Sequence, residues 1–154
     1  MKKIALWVGI ILIVGAAYWL VSPIFLDTEV QEAAVDIGAA ASAQSEQTTL
    51  AEGSFVDADA FHKGAGVVRL ISVGGKNFIR FEDDFKVTNG PDLFVYFGKD
   101  GAYASEAKIA ALKGNIGSQN YEVPEGIRVD EYNEVWIWCR AFSVPFARAV
   151  LKAS

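Results

Sequence analysis

The chain has 154 residues, is 52% hydrophobic and 21% charged, and carries a formal net charge of −5. That length supports one ordinary core, and the acidic balance leaves no basic face for nucleic acid. One cysteine and one histidine exclude a structural zinc cluster, which takes four ligands, and a blue-copper centre, which takes two histidines with its cysteine.

The chain opens Met1-Lys2-Lys3, and residues 4–21 are 18 uncharged, mostly apolar positions. As a helix they would extend about 27 Å, close to the ~30 Å hydrocarbon core of a bilayer. The expectation is a transmembrane anchor over 1–22 that contacts the membrane through 4–21. The two lysines would keep the N-terminus cytoplasmic. The protein would then be single-pass, with its domain extracytoplasmic, either periplasmic or at the cell surface. A cleaved signal peptide fits less well. Gly15-Ala16-Ala17 lies inside the apolar run, and Ala41-Ser42-Ala43 lies far beyond it.

Residues 23–52 read as a linker. From Asp27 to Glu52 there are six acidic residues and no basic or aromatic one, a composition that predicts a flexible, solvated tether. Val30, Ala33, Ala34 and Ile37 have the spacing of a short helix. The net charge resides in this stretch, because residues 53–154 carry 12 basic and 13 acidic side chains.

Residues 53–154 predict one all-β domain, a sandwich of about seven short strands. Strands over 67–73 and 77–85 flank the turn Gly74-Gly75-Lys76. The breakers Thr88-Asn89-Gly90-Pro91-Asp92 precede a buried strand at 93–97. Residues 100–115 read as a loop with at most one helical turn. Short strands at 119–123, 135–141 and 147–151 complete the set.

The run 134–142 places Val135, Ile137, Cys139 and Ala141 on one face of a strand and Trp136, Trp138, Arg140 and Phe142 on the other. Cys139 is either a quiet core thiol or a redox thiol. Arg140 points to the opposite face, so the local sequence supplies no activating cation. His62 is either a loop residue or a single axial ligand for haem. Asn115, Gln119, Asn120 and Tyr121 predict a buried turn whose amide side chains replace missing ladder bonds. Asp57, Asp59 and Glu82-Asp83-Asp84 predict loop caps rather than a calcium site. No nucleophile–base pair or phosphate loop supports a stand-alone enzyme.

Several motifs follow one another in a fixed order. Phe55-Val56-Asp57-Ala58-Asp59-x-Phe61-His62-x-Gly64 comes first, then Arg80-Phe81-Glu82-x-x-Phe85 and Thr88-Asn89-Gly90-Pro91-Asp92-Leu93-x-Val95-Tyr96. Leu112-Lys113-Gly114-Asn115-x-Gly117-x-Gln119-Asn120-Tyr121 and Val135-x-Ile137-Trp138-Cys139-Arg140-x-Phe142 close the series. Together they resemble the DM-thirteen domain family, a module linked to electron transfer, over 53–154. The resemblance implies an extracellular β-rich domain with a redox role centred on a cysteine near the C-terminus. Cys139 matches that cysteine, as a naked thiol or as ligand to a bound group such as haem, with His62 a second cofactor-binding candidate. Trp136 and Trp138 would pack around the site. The implied cofactor is haem or none, with no metal site. The chain has no second redox domain, so the implied partner is another redox protein. The rival expectation is a binding or adhesion module in which Cys139 is simply core.

Overall fold

The computed structural model describes residues 2–35 and 47–154; Ile37 and Ala41-Ser42-Ala43 lie outside the described residues. Eleven strands follow one N-terminal helix: β1 (Thr48–Asp57), β2 (Gly64–Ala65), β3 (Val67–Val73), β4 (Lys76–Phe81), β5 (Lys86–Val87), β6 (Leu93–Lys99), β7 (Ala102–Ala111), β8 (Gln119–Glu122), β9 (Glu134–Cys139), β10 (Val144–Val150) and β11 (Lys152–Ala153). A single 3-10 turn, Val129–Glu131, precedes β9.

Nine strands form one sheet in the order β7-β6-β9-β10-β1-β3-β4-β8, with β11 pairing β1, while β2 and β5 form a small ribbon. All the pairings between named strands are antiparallel. The all-β, sandwich-like expectation therefore holds, but the count of about seven strands and the two separate sheets do not: the layers are joined into one sheet, curled into an open half-barrel. The reason lies in β1. Its early residues pair with β3 from Thr48 to Ser54, and its later ones pair with β10 from Phe55 to Asp57. One ten-residue strand thus joins two halves that a sandwich would keep apart. Two-residue strands leave no periodic signal, so the strand count could not be read from sequence.

The concave side holds one cluster of buried side chains drawn from β1, β3, β4, β6, β7, β8, β9 and β10, with Phe55, Phe81, Phe85, Phe97 and Tyr121 among them. Phe55 meets Phe81 edge-to-face at 5.0 Å, a favoured aromatic geometry. The β3–β4 hairpin turns on Gly74 and Gly75, both at positive φ, as a tight two-residue connection requires.

Residues 100–115, expected as loop, contain β7. Ala107 and Ile109 are buried on its inner face while Glu106 and Lys108 are exposed. Alanine, glutamate and lysine have low strand propensity, so pairing with β6 overrides the local preference.

Helix α1 covers Lys2–Phe25. Among the described residues no helix is long and apolar enough to cross a membrane. The finding overturns the expected transmembrane anchor over 1–22 and the single-pass, extracytoplasmic placement that followed from it.

The tether differs from expectation as well. Residues 27–35 are neither helical nor free. They run extended along the domain, with Val30 N–H donating to the Ile116 carbonyl at 2.9 Å and Glu32 N–H to the Ser118 carbonyl at 3.0 Å. Their polar composition does not prevent ordering, because the domain supplies backbone partners that composition alone does not reveal.

Candidate functional site

Cys139 is the last residue of β9 and is completely buried. Its register partners are Leu93 on β6 and Val144 on β10, and paired residues share a face with Cβ atoms roughly 5 Å apart. Val135 and Ile137, also fully buried, continue that face. The sulfur thus sits at the rim of the apolar cluster. One residue later the chain enters the exposed turn 140–143, where Ser143 adopts a left-handed φ of 55°. A cavity of about 440 Å³ lies nearby, lined by Leu93, Gly90, Phe94 and Leu112 among others. Leu93 therefore belongs to the cavity wall and also flanks the thiol.

Trp136 and Trp138 occupy the reverse face of the sheet, away from the sulfur. The Trp138 ring stacks on Tyr103 at 3.9 Å, and Tyr103 meets Tyr96 edge-on at 5.2 Å. Trp136 Nε1 donates to Glu134 Oε2 at 2.8 Å, and the Arg148 guanidinium lies 5.7 Å from its ring. Arg140 covers Phe94 at 4.6 Å and pairs with Asp92, Nε to Oδ2, at 2.9 Å. The tryptophans support the sheet that presents Cys139 without touching its thiol face.

His62 lies in the 58–63 loop. Its Nδ1 is 2.7 Å from Asp59 Oδ2, and its ring packs on Phe146 at 4.2 Å. Asp59 Oδ1 also accepts the backbone N–H groups of Phe61 and His62, each at 2.7 Å. These donors hold the Asp59 carboxyl down to about 2. Asp57 Oδ1 accepts from Gly64 N–H and Asp84 Oδ1 from Val67 N–H, so these carboxylates serve as loop caps. Haem does not fit at Cys139, which is enclosed between two strand partners and has no exposed surface. The Asp59 contact takes only Nδ1 of His62 and orients its ring.

The polar turn at 112–121 is built as its sequence predicts. Gln119, fully buried, accepts Gly114 N–H at 3.1 Å and donates to the Gly114 carbonyl at 2.9 Å. Tyr121 donates its hydroxyl proton to Gln119 Oε1 and accepts from Lys113 N–H at 3.0 Å. What the sequence did not reveal is the second use of this turn, which is to hold residues 27–35. Asn115 Nδ2 and Asn89 Nδ2 donate to Asp27 Oδ1 at 2.8 and 2.9 Å. Asn115 Oδ1 accepts Thr28 N–H at 2.6 Å. Lys113 Nζ contacts both Glu32 oxygens, at 2.7 and 2.9 Å, and Asn120 N–H donates to Glu32 Oε2 at 2.7 Å. Arg80 and Asn120 donate to the Ala33 carbonyl at 3.0 and 2.8 Å. Val35 packs on a separate apolar cluster of Ile71, Val73 and Phe78. The available signal was Gly114 and Gly117, glycines whose spacing allows another backbone to approach.

A half-barrel with a lone core cysteine, an aromatic and cationic outer face and a polar strap groove defines an all-β module with two candidate sites. The chain belongs to the family described as electron transfer DM13, which matches residues 54–151. No curated protein and no solved structure gives a match. Family membership supports a redox role at the coarse level.

Proposed function

We propose that this chain is an electron-transfer-associated domain whose redox group is the Cys139 thiol, closed at rest and reached past Leu93. The observation that carries the reading is the double position of Leu93. It is the register partner of the buried Cys139 and part of the wall of the neighbouring cavity. Displacing one leucine side chain, or loosening the 140–143 turn, exposes the sulfur without unfolding the sheet. The implied chemistry is thiol–disulfide exchange with a partner redox protein. Cys139 gives up its proton to solvent, and its thiolate attacks one sulfur of the partner's disulfide. That S–S bond breaks, a mixed disulfide forms, and the partner's second sulfur leaves as thiolate with the electron pair.

The test is alkylation of the full chain under native conditions with excess thiol reagent. The expected result is modification of Cys139 faster than whole-domain unfolding allows, and faster again in Leu93→Ala after correction for its lost stability. Modification at the global unfolding rate, unchanged by the leucine variant, discards the gated thiol.

A second reading, a recognition head in which Cys139 is only core, is favoured by the groove at 112–121, which holds an extended peptide. In that case Cys139→Ala leaves ligand binding intact.

A further inference from the structure

We infer that the groove formed by the 112–121 turn is a peptide-binding site for an extended segment with two carboxylates five residues apart, and that residues 27–35 are its resident, displaceable occupant. The inference rests on the recognition-head reading and is independent of the thiol.

The groove lies inside the family match of 54–151, whereas its occupant lies outside it. The contact has the pattern of strand addition. Ile116 N–H donates to the Thr28 carbonyl at 3.3 Å, and Val30 and Glu32 donate from alternate positions to Ile116 and Ser118. Main-chain bonds of this kind supply sequence-independent affinity, and side-chain pockets supply choice. Here the pockets are distinct. Two asparagine amides receive Asp27, an ammonium with a backbone N–H receives Glu32, and an apolar patch receives Val35. Gly114 and Gly117 admit the ligand backbone: a Cβ on either would stand 2.4 Å from the Thr28 carbonyl oxygen or 2.2 Å from that of Val30. The occupant itself is surface material, with Asp27, Thr28, Glu29, Gln31, Ala33 and Ala34 all exposed. It covers the domain without forming part of the main core. Tethered in cis, it holds the groove at an effective concentration on the order of millimolar, so a free peptide of the same pattern competes poorly with the intact chain.

The experiment places a protease site within 36–47 of the full chain, cuts it, and measures anisotropy of a labelled peptide with the sequence of residues 26–35. Tryptophan fluorescence follows the fold. The uncut chain is expected to bind the peptide at least about tenfold more weakly than the cut chain. A peptide carrying Asp27→Asn and Glu32→Gln is expected to lose about tenfold or more, as is cut Lys113→Ala chain. Unfolding of the cut chain when the strap departs would overturn the inference, because the strap would then be integral to the domain. So would a strap that never exchanges, or equal binding of the charged and neutral peptides. Native alkylation of Cys139, measured on the same cut sample, reports on the thiol separately.

Discussion

Gly117 stands at φ +90°, and a Cβ built on it would lie 2.2 Å from the carbonyl oxygen of Val30. A turn glycine and a residue 87 positions earlier in the chain are thus fitted to each other. Gly117→Ala combines a left-handed backbone cost of about 1–2 kcal/mol with a clash that only movement of the strap relieves. The expected outcome is a folded half-barrel with its strap released. Hydrogen exchange at the Val30 and Glu32 amides should rise to open-chain rates while β3 and β4 stay protected. Unchanged protection at those two amides would contradict the close-approach explanation.

Cys139 is enclosed by Leu93, Val144 and the apolar face of β9. Cys139→Ala should cost about 1 kcal/mol, the loss of one buried group with partial collapse around it. Cys139→Ser keeps the volume but buries a hydroxyl without a partner and should cost a further 1–3 kcal/mol or so. Urea denaturation of both variants checks the order. A serine variant as stable as the alanine one would reveal a polar partner for that position.

Much of this was legible in the sequence, for a physical reason that also marks the limit. The β9 alternation assigned Val135, Ile137 and Cys139 to one face and the tryptophans to the other, because strand side chains alternate whatever the fold. The amides of Asn115 and Gln119 announced a satisfied turn. Long-range partners were not legible. Nothing local in Glu106 to Ala111 favours a strand, and β7 exists because β6 lies beside it. Nothing in the acidic run announces that Asp27 meets Asn89 and Asn115, or that Glu32 meets Lys113, since the partners stand 62, 88 and 81 positions apart in the chain. The expectation of two separate sheets failed at β1, which pairs with β3 and then with β10 and so joins the layers. At the thiol, the sequence supplied the residue and its face. The role of Leu93 as both strand partner and cavity wall needed the register.

Tyr121 ties the turn together through one hydroxyl, which donates to Gln119 and accepts from Lys113 N–H. Burial drives its pKa well above the ordinary tyrosine value, so the hydroxyl keeps its proton and its donor role. Tyr121→Phe removes both bonds and leaves the Lys113 N–H without that acceptor. The expected loss is about 1–2 kcal/mol, measured by urea denaturation. A change near zero would mean that the turn does not need this network.

Asp59 carries the strongest pH signature in the 58–63 loop. Hydrogen bonds from the His62 ring, the His62 N–H and the Phe61 N–H lower its carboxyl from 3.8 to about 2. A depressed folded value means that the loop's stabilisation is complete above the unfolded value and is lost as pH falls through the folded one. The window is therefore about pH 4 to 2. Carbon-detected NMR of the Asp59 carboxyl should give a midpoint near the lower end, and a midpoint near 3.8 would show the three donors to be absent in solution.

Glu32 sets the acid limit of the strap. Burial pushes its carboxyl up, but the Lys113 ammonium, the Asn120 N–H and the Arg80 charge outweigh that and hold it below 4.5. Docking therefore favours the ionised form. Its contribution is complete above 4.5 and fades as pH falls through the lower docked value. In the cut chain, the affinity of the labelled 26–35 peptide should be flat near neutrality and weaken in that acid range. A Glu32→Gln peptide should bind more weakly at neutral pH, show a smaller acid loss, and approach the unmodified peptide at the low end. Lys113 is partly exposed, so salt should shrink the difference between the two peptides. Parallel curves for both peptides across the range would remove Glu32 from the recognition pattern and leave Asp27, Val35 and the backbone bonds to hold the strap.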